Sequence, residues 1–397
     1  MKRLKVSLPV ILMFFMLGTF CIGMTEFVIT GLLSQLSADF NVSIAKAGLL
    51  LSVYALGVAL LGPLISLLML KASLRTSLSA LMAVFVISNL IAALSPNFTV
   101  LLLARLISAT IHAPFFGITL VAAYQMSTPD KRTRSMASIN GGLTLAILVG
   151  VPFGSYLGDI LNWRLVFLLV SIIGAIVLIA LWLVTPDHQQ HHQPDIKREL
   201  RIFSNKNILL ICMVILLGHS GVFMVYTFIE PLIREFTGFS VRMIIIALFI
   251  CGCGAVTGNY LSGRVQPSML TKHLALFFAA LTLLFTTASV FIPLSYVTTF
   301  MFCFLFGTGV FGAVPLLNAK FVLAGKEAPA LAGTLASSVF NLANASGAAL
   351  GAFLLDTGAG FGGLTWVAAC LTTLGLASTV LTYHKEDKPS FEEVKSA

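Results

Sequence analysis

The chain predicts an all-α integral membrane protein, with twelve transmembrane helices in two pseudo-symmetric six-helix bundles. Three observations predict it. First, 58% of its 397 residues are hydrophobic and only 10% are charged, with a mean hydropathy of +1.00. A soluble globular protein carries roughly 25% charged residues, so this chain cannot cover a surface against water, and a bilayer is the solvent it requires. Second, twelve segments reach the length of about 20 mainly apolar residues that a spanning helix needs. Third, one run recurs near half the chain length. Gly150, Gly154 and Asp159 are matched by Gly347, Gly351 and Asp356 at a constant offset of 197.

Span 1 is expected over 8–30. Lys2, Arg3 and Lys5 ahead of it imitate a secretion signal, but the apolar run is too long for a cleaved leader and no Ala-x-Ala site closes it. Spans 2 to 6 follow over 46–70, 76–95, 99–126, 136–158 and 163–185, with short polar breaks between them. A longer break, 186–206, carries His188, His191 and His192 ahead of Lys197, Arg198 and Arg201. Its composition is that of a solvated linker, which divides the chain into an N-terminal bundle over 1–185 and a C-terminal bundle over 207–397 with a short cytoplasmic tail. Spans 7 to 12 are expected over 207–230, 241–263, 270–292, 296–323, 328–355 and 361–383.

Basic residues orient this layout. With the N-terminus cytoplasmic, nineteen of the 24 lysines and arginines fall in cytoplasmic ends and loops, and four (Lys46, Arg164, Arg234, Arg242) fall outside. Arg105 is left within a span. Both termini are therefore expected in the cytoplasm. The net charge of +9 sits in these short loop clusters, not in a basic arm or face, which argues against nucleic-acid binding. The six cysteines all lie in apolar runs and read as small buried hydrophobes, so neither a disulfide framework nor a metal site is expected. No Walker A loop, filter-like motif or Ser-His-Asp set at plausible depths is present, which argues against an ATP-driven pump, a channel and an enzyme. No cofactor is implied.

Charged groups inside spans are costly and mark sites or pathways. Glu26 lies about 27 Å along span 1 at about 1.5 Å per residue, in the outer half, with apolar Phe27, Val28 and Ile29 beyond it. That flank weakens a snorkelling account. Arg105 lies near the outer start of span 4, and His112, two turns on, shares its face. Each also has a structural reading, as an anchor to carbonyls or as a packed core histidine. Span 11 carries Ser337, Ser338, Asn341, Asn344 and Ser346, and Asn140 begins span 5; such groups act as interhelical glue or as substrate contacts. His219 reads as packing and Glu230, before Pro231, as a helix-end feature. Phe115, Phe116 and Tyr226 are the aromatics nearest these groups.

With these residues in place, the sequence resembles the bacterial twelve-helix drug:proton antiporters of the major facilitator superfamily, in its arabinose-efflux-permease-like branch. Thr25 to Leu33 is similar to that branch's opening signature. Arg105 stands in the place of the superfamily's span 4 arginine, and His112, Ala113, Pro114, Phe115, Phe116 and Gly117 resemble its His-Gly-x-Phe-Phe-Gly. Gly150, Pro152 and Gly154 resemble the Gly-Pro motif that marks antiporters, and Asn162, Trp163 and Arg164 open span 6 as in the family. Tyr226 to Leu232, Gly238 to Ser240 and Gly258 to Arg264 are equally typical. Two stretches depart. The loop between spans 2 and 3 lacks the usual Asp, leaving Lys71 and Arg75, and the corresponding Gly263 to Gln266 in the second half lacks it too; polar contacts, or Arg75 at a helix C-terminus, are the expected substitutes.

The resemblance implies a monomeric, proton-coupled antiporter in the inner membrane of a bacterium, exporting small amphipathic molecules by alternating access. Glu26, His112 and Arg105 carry proton coupling on this reading. Phe115, Asn140, Tyr226 and Asn341 are candidate cavity residues, and Gly150, Pro152 and Gly154 supply close packing and a bend. A dedicated sugar, nucleoside or metabolite exporter of the same fold is the alternative, with a uniporter or a non-transporting receptor more remote.

Overall fold

The structure is a computed structural model that describes residues 7–69, 72–128, 131–187, 205–325 and 329–386. Most of the 186–206 linker, with its histidines, lies outside the described residues. Among the described residues, twelve helices are long and apolar enough to cross a membrane. In order, spans 1 to 6 are Leu8–Gly31, Ile44–Met69, Leu74–Ala93, Phe98–Met126, Ser135–Ile160 and Trp163–Val184. Spans 7 to 12 are Lys206–Thr227, Val241–Ser262, Pro267–Leu294, Tyr296–Ala324, Leu335–Asp356 and Gly360–Leu381. Most ends match the expected ones closely, because the apolar length a bilayer demands is written directly in composition. The span 11 helix itself begins earlier, at Pro329.

The two halves pack alike. Spans 2 and 4, 3 and 6, 3 and 4, 1 and 5, and 1 and 6 touch in the first half. Spans 8 and 10, 9 and 12, 9 and 10, 7 and 11, and 7 and 12 repeat these pairings in the second. The halves meet where span 2 packs on span 11 and span 5 on span 8. Two short helices that the sequence reading did not separate, Leu33–Phe40 and Ile229–Thr237, follow spans 1 and 7. Each stops at a left-handed residue, Asn41 at φ 51° and Gly238 at φ 62°, a conformation that asparagine and glycine tolerate best. These positions are again 197 apart.

The core is not uniform along the membrane axis. At the end where these short helices lie, residues of both halves form one continuous apolar cluster, with Phe27, Val28 and Leu33 joined to Phe228, Leu232 and Phe302. Polar contacts cross the halves there too. Ser34 Oγ donates to Glu230 Oε2 at 2.5 Å, while Glu230 Oε1 accepts from Arg234 Nε and Nη2 at 2.9 and 2.7 Å. Ser43 Oγ donates to Asp356 Oδ1 at 3.2 Å. Glu230 is thus more than the helix-end feature expected of it, since it bridges the bundles. At the opposite end the core divides into two clusters, one within each half. One end is sealed between the bundles and the other is parted.

The short helix after span 1 is pinned by the residues that open span 6. Asn162 Oδ1 caps that span by accepting from the Arg164 amide at 2.8 Å. Arg164 Nη1 and Trp163 Nε1 then donate to Asp39 Oδ2 at 2.7 and 3.0 Å. At the parted end, Arg75 Nε donates to the Thr185 carbonyl at 2.9 Å, where span 6 ends. The arginine therefore does meet a helix C-terminus, within its own bundle.

Candidate functional site

Glu26 lies near the end of the regular helix of span 1, just before a 3₁₀ turn, Val28–Gly31, carries the chain onward. It is 7% exposed, and every residue from Cys21 to Leu33 is buried as well. Such burial needs close packing of span 5 on span 1, and the Gly150 and Gly154 pair supplies it. Gly150 rests on Met24 and Gly154 on Val28, and a Cβ at either would overlap those side chains. The two glycines thus grip span 1 on either side of Glu26. Pro152 has no N–H to give to the preceding turn, and a π turn, Ala146–Gly150, ends two residues ahead of it. The second half repeats the grip, with Gly347 against Ser220 and Gly351 against Met224 and Phe228.

Span 4 brings Arg105 and His112 to the same place. His112 Nδ1 is 3.6 Å from Glu26 Oε2, an ion-pair distance whenever the ring carries its second proton. The same nitrogen is 3.1 Å from the Tyr54 hydroxyl. The Tyr54 ring lies under the Arg105 guanidinium, 4.1 Å from the ring centroid, a cation–π contact. Arg105 Nη1 donates to the Thr25 carbonyl at 2.5 Å. Its Nε and Nη2 have no hydrogen-bond partner among the described residues, although the side chain is only 1% exposed. Thr25 Oγ1 in turn donates to Asn89 Oδ1 at 2.5 Å, and Asn89 Nδ2 to the Phe85 carbonyl at 2.8 Å. Three spans thus contribute to one buried cluster of a carboxylate, an imidazole, a guanidinium and a phenol, and a fourth adds the Asn89 amide.

The structure brings Glu26, Arg105 and His112 together, and it adds Tyr54, Thr25 and Asn89, which the sequence reading did not single out. An asparagine and a tyrosine inside spans 2 and 3 were the available signal, since buried polar groups in a membrane need partners. The other nominated residues scatter. Phe115 is fully buried against Gly18 in the core of the first bundle. Asn140 is exposed toward the parted end; one turn on, Thr144 accepts from Asn259 Nδ2 of the other bundle at 3.5 Å. Tyr226 is buried in an aromatic group with Phe223, Phe306 and Phe311, at centroid separations of 5.5, 6.4 and 6.0 Å. It meets Phe27 of the first bundle edge-on at 5.8 Å. Asn341 donates from Nδ2 to the Ser337 carbonyl at 3.0 Å.

Pseudo-symmetry is absent at this site. At the 197 offset, the second-half position matching Glu26 is Phe223 and that matching Tyr54 is Cys251. Span 4 and span 10 share a length of 29 residues and start at Phe98 and Tyr296, so Arg105 matches Cys303 and His112 matches Val310. The first bundle is ionisable where the second is apolar. No group of three or more metal-ligating side chains occurs among the described residues.

Comparison with known proteins fits this architecture. The family model described as Major Facilitator Superfamily matches residues 15–352. The chain is 38% identical over 392 residues to "Uncharacterized MFS-type transporter YfhI" of Bacillus subtilis, covering 97% of each. It is 30% identical to "Inner membrane transport protein YdhP" of Escherichia coli K12, over 96% of this chain and 98% of that protein. It is 28% identical to "Probable sugar efflux transporter" of Helicobacter pylori, over 91% and 92% of the two chains. Among solved structures, a bacterial homologue of the human lysosomal transporter Spinster, in an inward-facing and unoccupied conformation, aligns with a TM-score of 0.67 over 95% of each chain. At 16% identity, that likeness concerns the fold alone.

Proposed function

The chain belongs to the Major Facilitator Superfamily, and on that premise we propose that it is a proton-coupled antiporter exporting small amphipathic compounds by alternating access. It is a membrane transporter, not an enzyme, as its relatives are. The observation that carries the coupling is Glu26 paired with His112 and set beside Arg105 and Tyr54, all buried, deep in the first bundle. A buried charge is tolerated only when it is paired. With Glu26 ionised, its charge offsets that of Arg105. A proton arriving on Glu26 leaves the pocket one unit more positive, so the protein's preferred arrangement changes with occupancy. In the proposed cycle the proton binds from outside, the bundles rock, and the proton leaves inside while cargo moves out.

In this reading both termini are cytoplasmic, the sealed end faces outward and the parted end faces the cytoplasm. The chain works as a monomer of two bundles, 1–185 and 207–397. A dedicated sugar exporter is the second reading, favoured by the name of the Helicobacter pylori relative. The test is Glu26→Gln in proteoliposomes with an imposed pH gradient. Gradient-driven transport is expected to fall to background while the variant keeps its melting temperature. Retention of proton-coupled export by the variant would overturn the role of Glu26.

A further inference from the structure

A second polar cluster lies in the apolar bundle. Span 7 is interrupted by a π turn, Ile215–His219, whose last residue is His219. Such single-turn π insertions are rare and concentrate at functional sites. The imidazole is 5% exposed. It meets the Phe340 ring edge-on at 5.1 Å and lies 6.2 Å from Phe223, with the Asn344 side chain within hydrogen-bonding reach. Asn341 and Asn344 stand three apart on span 11 and so share one face. They are 6% and 7% exposed. The Oδ1 atom of Asn341 is buried without any hydrogen-bond partner among the described residues. Asn341 cannot satisfy its oxygen by an amide flip without losing the bond from its Nδ2 to the Ser337 carbonyl.

An unpartnered buried acceptor is costly unless something supplies a donor. We propose that His219, Asn341 and Asn344 form a substrate subsite that takes the hydroxyl groups of a neutral, polyhydroxylated ligand. The amide oxygens accept from its hydroxyls, and the flanking phenylalanines cover its C–H faces. A cationic ligand fits poorly, because among the described residues no carboxylate meets His219, Asn341 or Asn344, and an unpaired buried charge is far more costly than a hydroxyl. The aromatic series continues from the subsite through Phe223 and Tyr226 to Phe27, which adjoins Glu26. An amphipathic cargo could therefore set its hydroxylated end at span 11 and its apolar end along these rings. This inference rests on the transport reading and names the cargo's polar end.

The probe is phenyl β-D-glucopyranoside, with its tetra-O-methyl derivative as a control that keeps the shape and loses every hydroxyl donor. Binding to the purified full chain is measured by equilibrium dialysis without a proton gradient. The wild type is expected to bind the glucoside at least tenfold more tightly than the methylated control. Asn341→Leu and Asn344→Leu are each expected to weaken glucoside binding about tenfold and to leave the control unchanged. Asn341→Ser and Asn344→Ser, which add no volume, carry the same expectation should the leucine variants not fold. Equal binding of the two probes by the wild type, or unchanged glucoside binding in the variants, overturns the subsite. Gradient-driven transport of a hydrophobic dye by the same preparation reports separately on the antiport reading. Dye transport without glucoside binding sinks the subsite alone, whereas glucoside binding without gradient-driven transport of either probe sinks the antiport reading.

Discussion

Tyr54 touches partners of different chemistry, and its substitution separates them. Its ring supports Arg105 and its hydroxyl meets His112 Nδ1. Tyr54→Phe keeps the ring and removes only the hydroxyl, a hydrogen bond of about 1 kcal/mol. We expect gradient-driven transport to fall by about fivefold and the pH profile of the rate to move, with at most a small fall in melting temperature. A profile superimposable on the wild type would show that the hydroxyl plays no part in coupling. Glu26, Arg105 and His112 were legible in the sequence because a charge in an apolar run is conspicuous. Tyr54, Thr25 and Asn89 were not, because a hydroxyl or amide inside a span is common. Only the rotation of each helix about its axis decides which of them turns inward.

At the scale of elements, the short helix Leu33–Phe40 is held to span 6 by Asp39. The Arg164 guanidinium beside it holds that carboxyl below its ordinary value of 3.8. A lowered folded value means that the ionised form is bound more favourably in the native state. The contribution is full above the ordinary carboxylate range and disappears as pH falls through the lowered value. Both side chains are about a third or more exposed, so solvent screening keeps the contribution within about 1 kcal/mol. The melting temperature of the wild type in detergent is therefore expected to exceed that of Asp39→Asn above about pH 5 and to converge with it on acidification. A constant difference across that range would mean that packing, not charge, pins the helix. The sequence showed that Asn162, Trp163 and Arg164 belong together but not what they hold. Asp39 is more than a hundred residues away, and no local pattern links the two.

Across the whole molecule, one end is fused and the other divided, and the proposed rocking requires the fused end to open. The Ser43 and Asp356 side chains approach to 3.2 Å across the fused end. A Ser43→Cys, Asp356→Cys pair, in a chain whose six native cysteines are replaced by serine, is expected to cross-link on oxidation. Transport should then stop and return on reduction; unimpeded transport by the oxidised protein would mean that this end need not open. The twelve spans and their pairing into halves were legible because bilayer thickness and internal repetition are properties of sequence. Which end is closed was not, because it depends on contacts such as Ser34 with Glu230 that join residues 196 apart.

The loss of symmetry at the buried cluster has an energetic corollary. Among the described residues, Glu26 is the one carboxylate set more than three positions inside a span, and its counterpart is Phe223. In the proposed exchange a single carboxyl ferries one proton per turnover. If the outgoing molecule is uncharged, each cycle moves one net positive charge inward, so the exchanger is electrogenic. Membrane voltage then adds about 2.3 kcal/mol per 100 mV to the driving force. A potassium diffusion potential, negative on the side that receives the protons, should drive uphill export of a neutral substrate with no pH difference at all. Indifference to that potential would require a second charge to travel with the cargo.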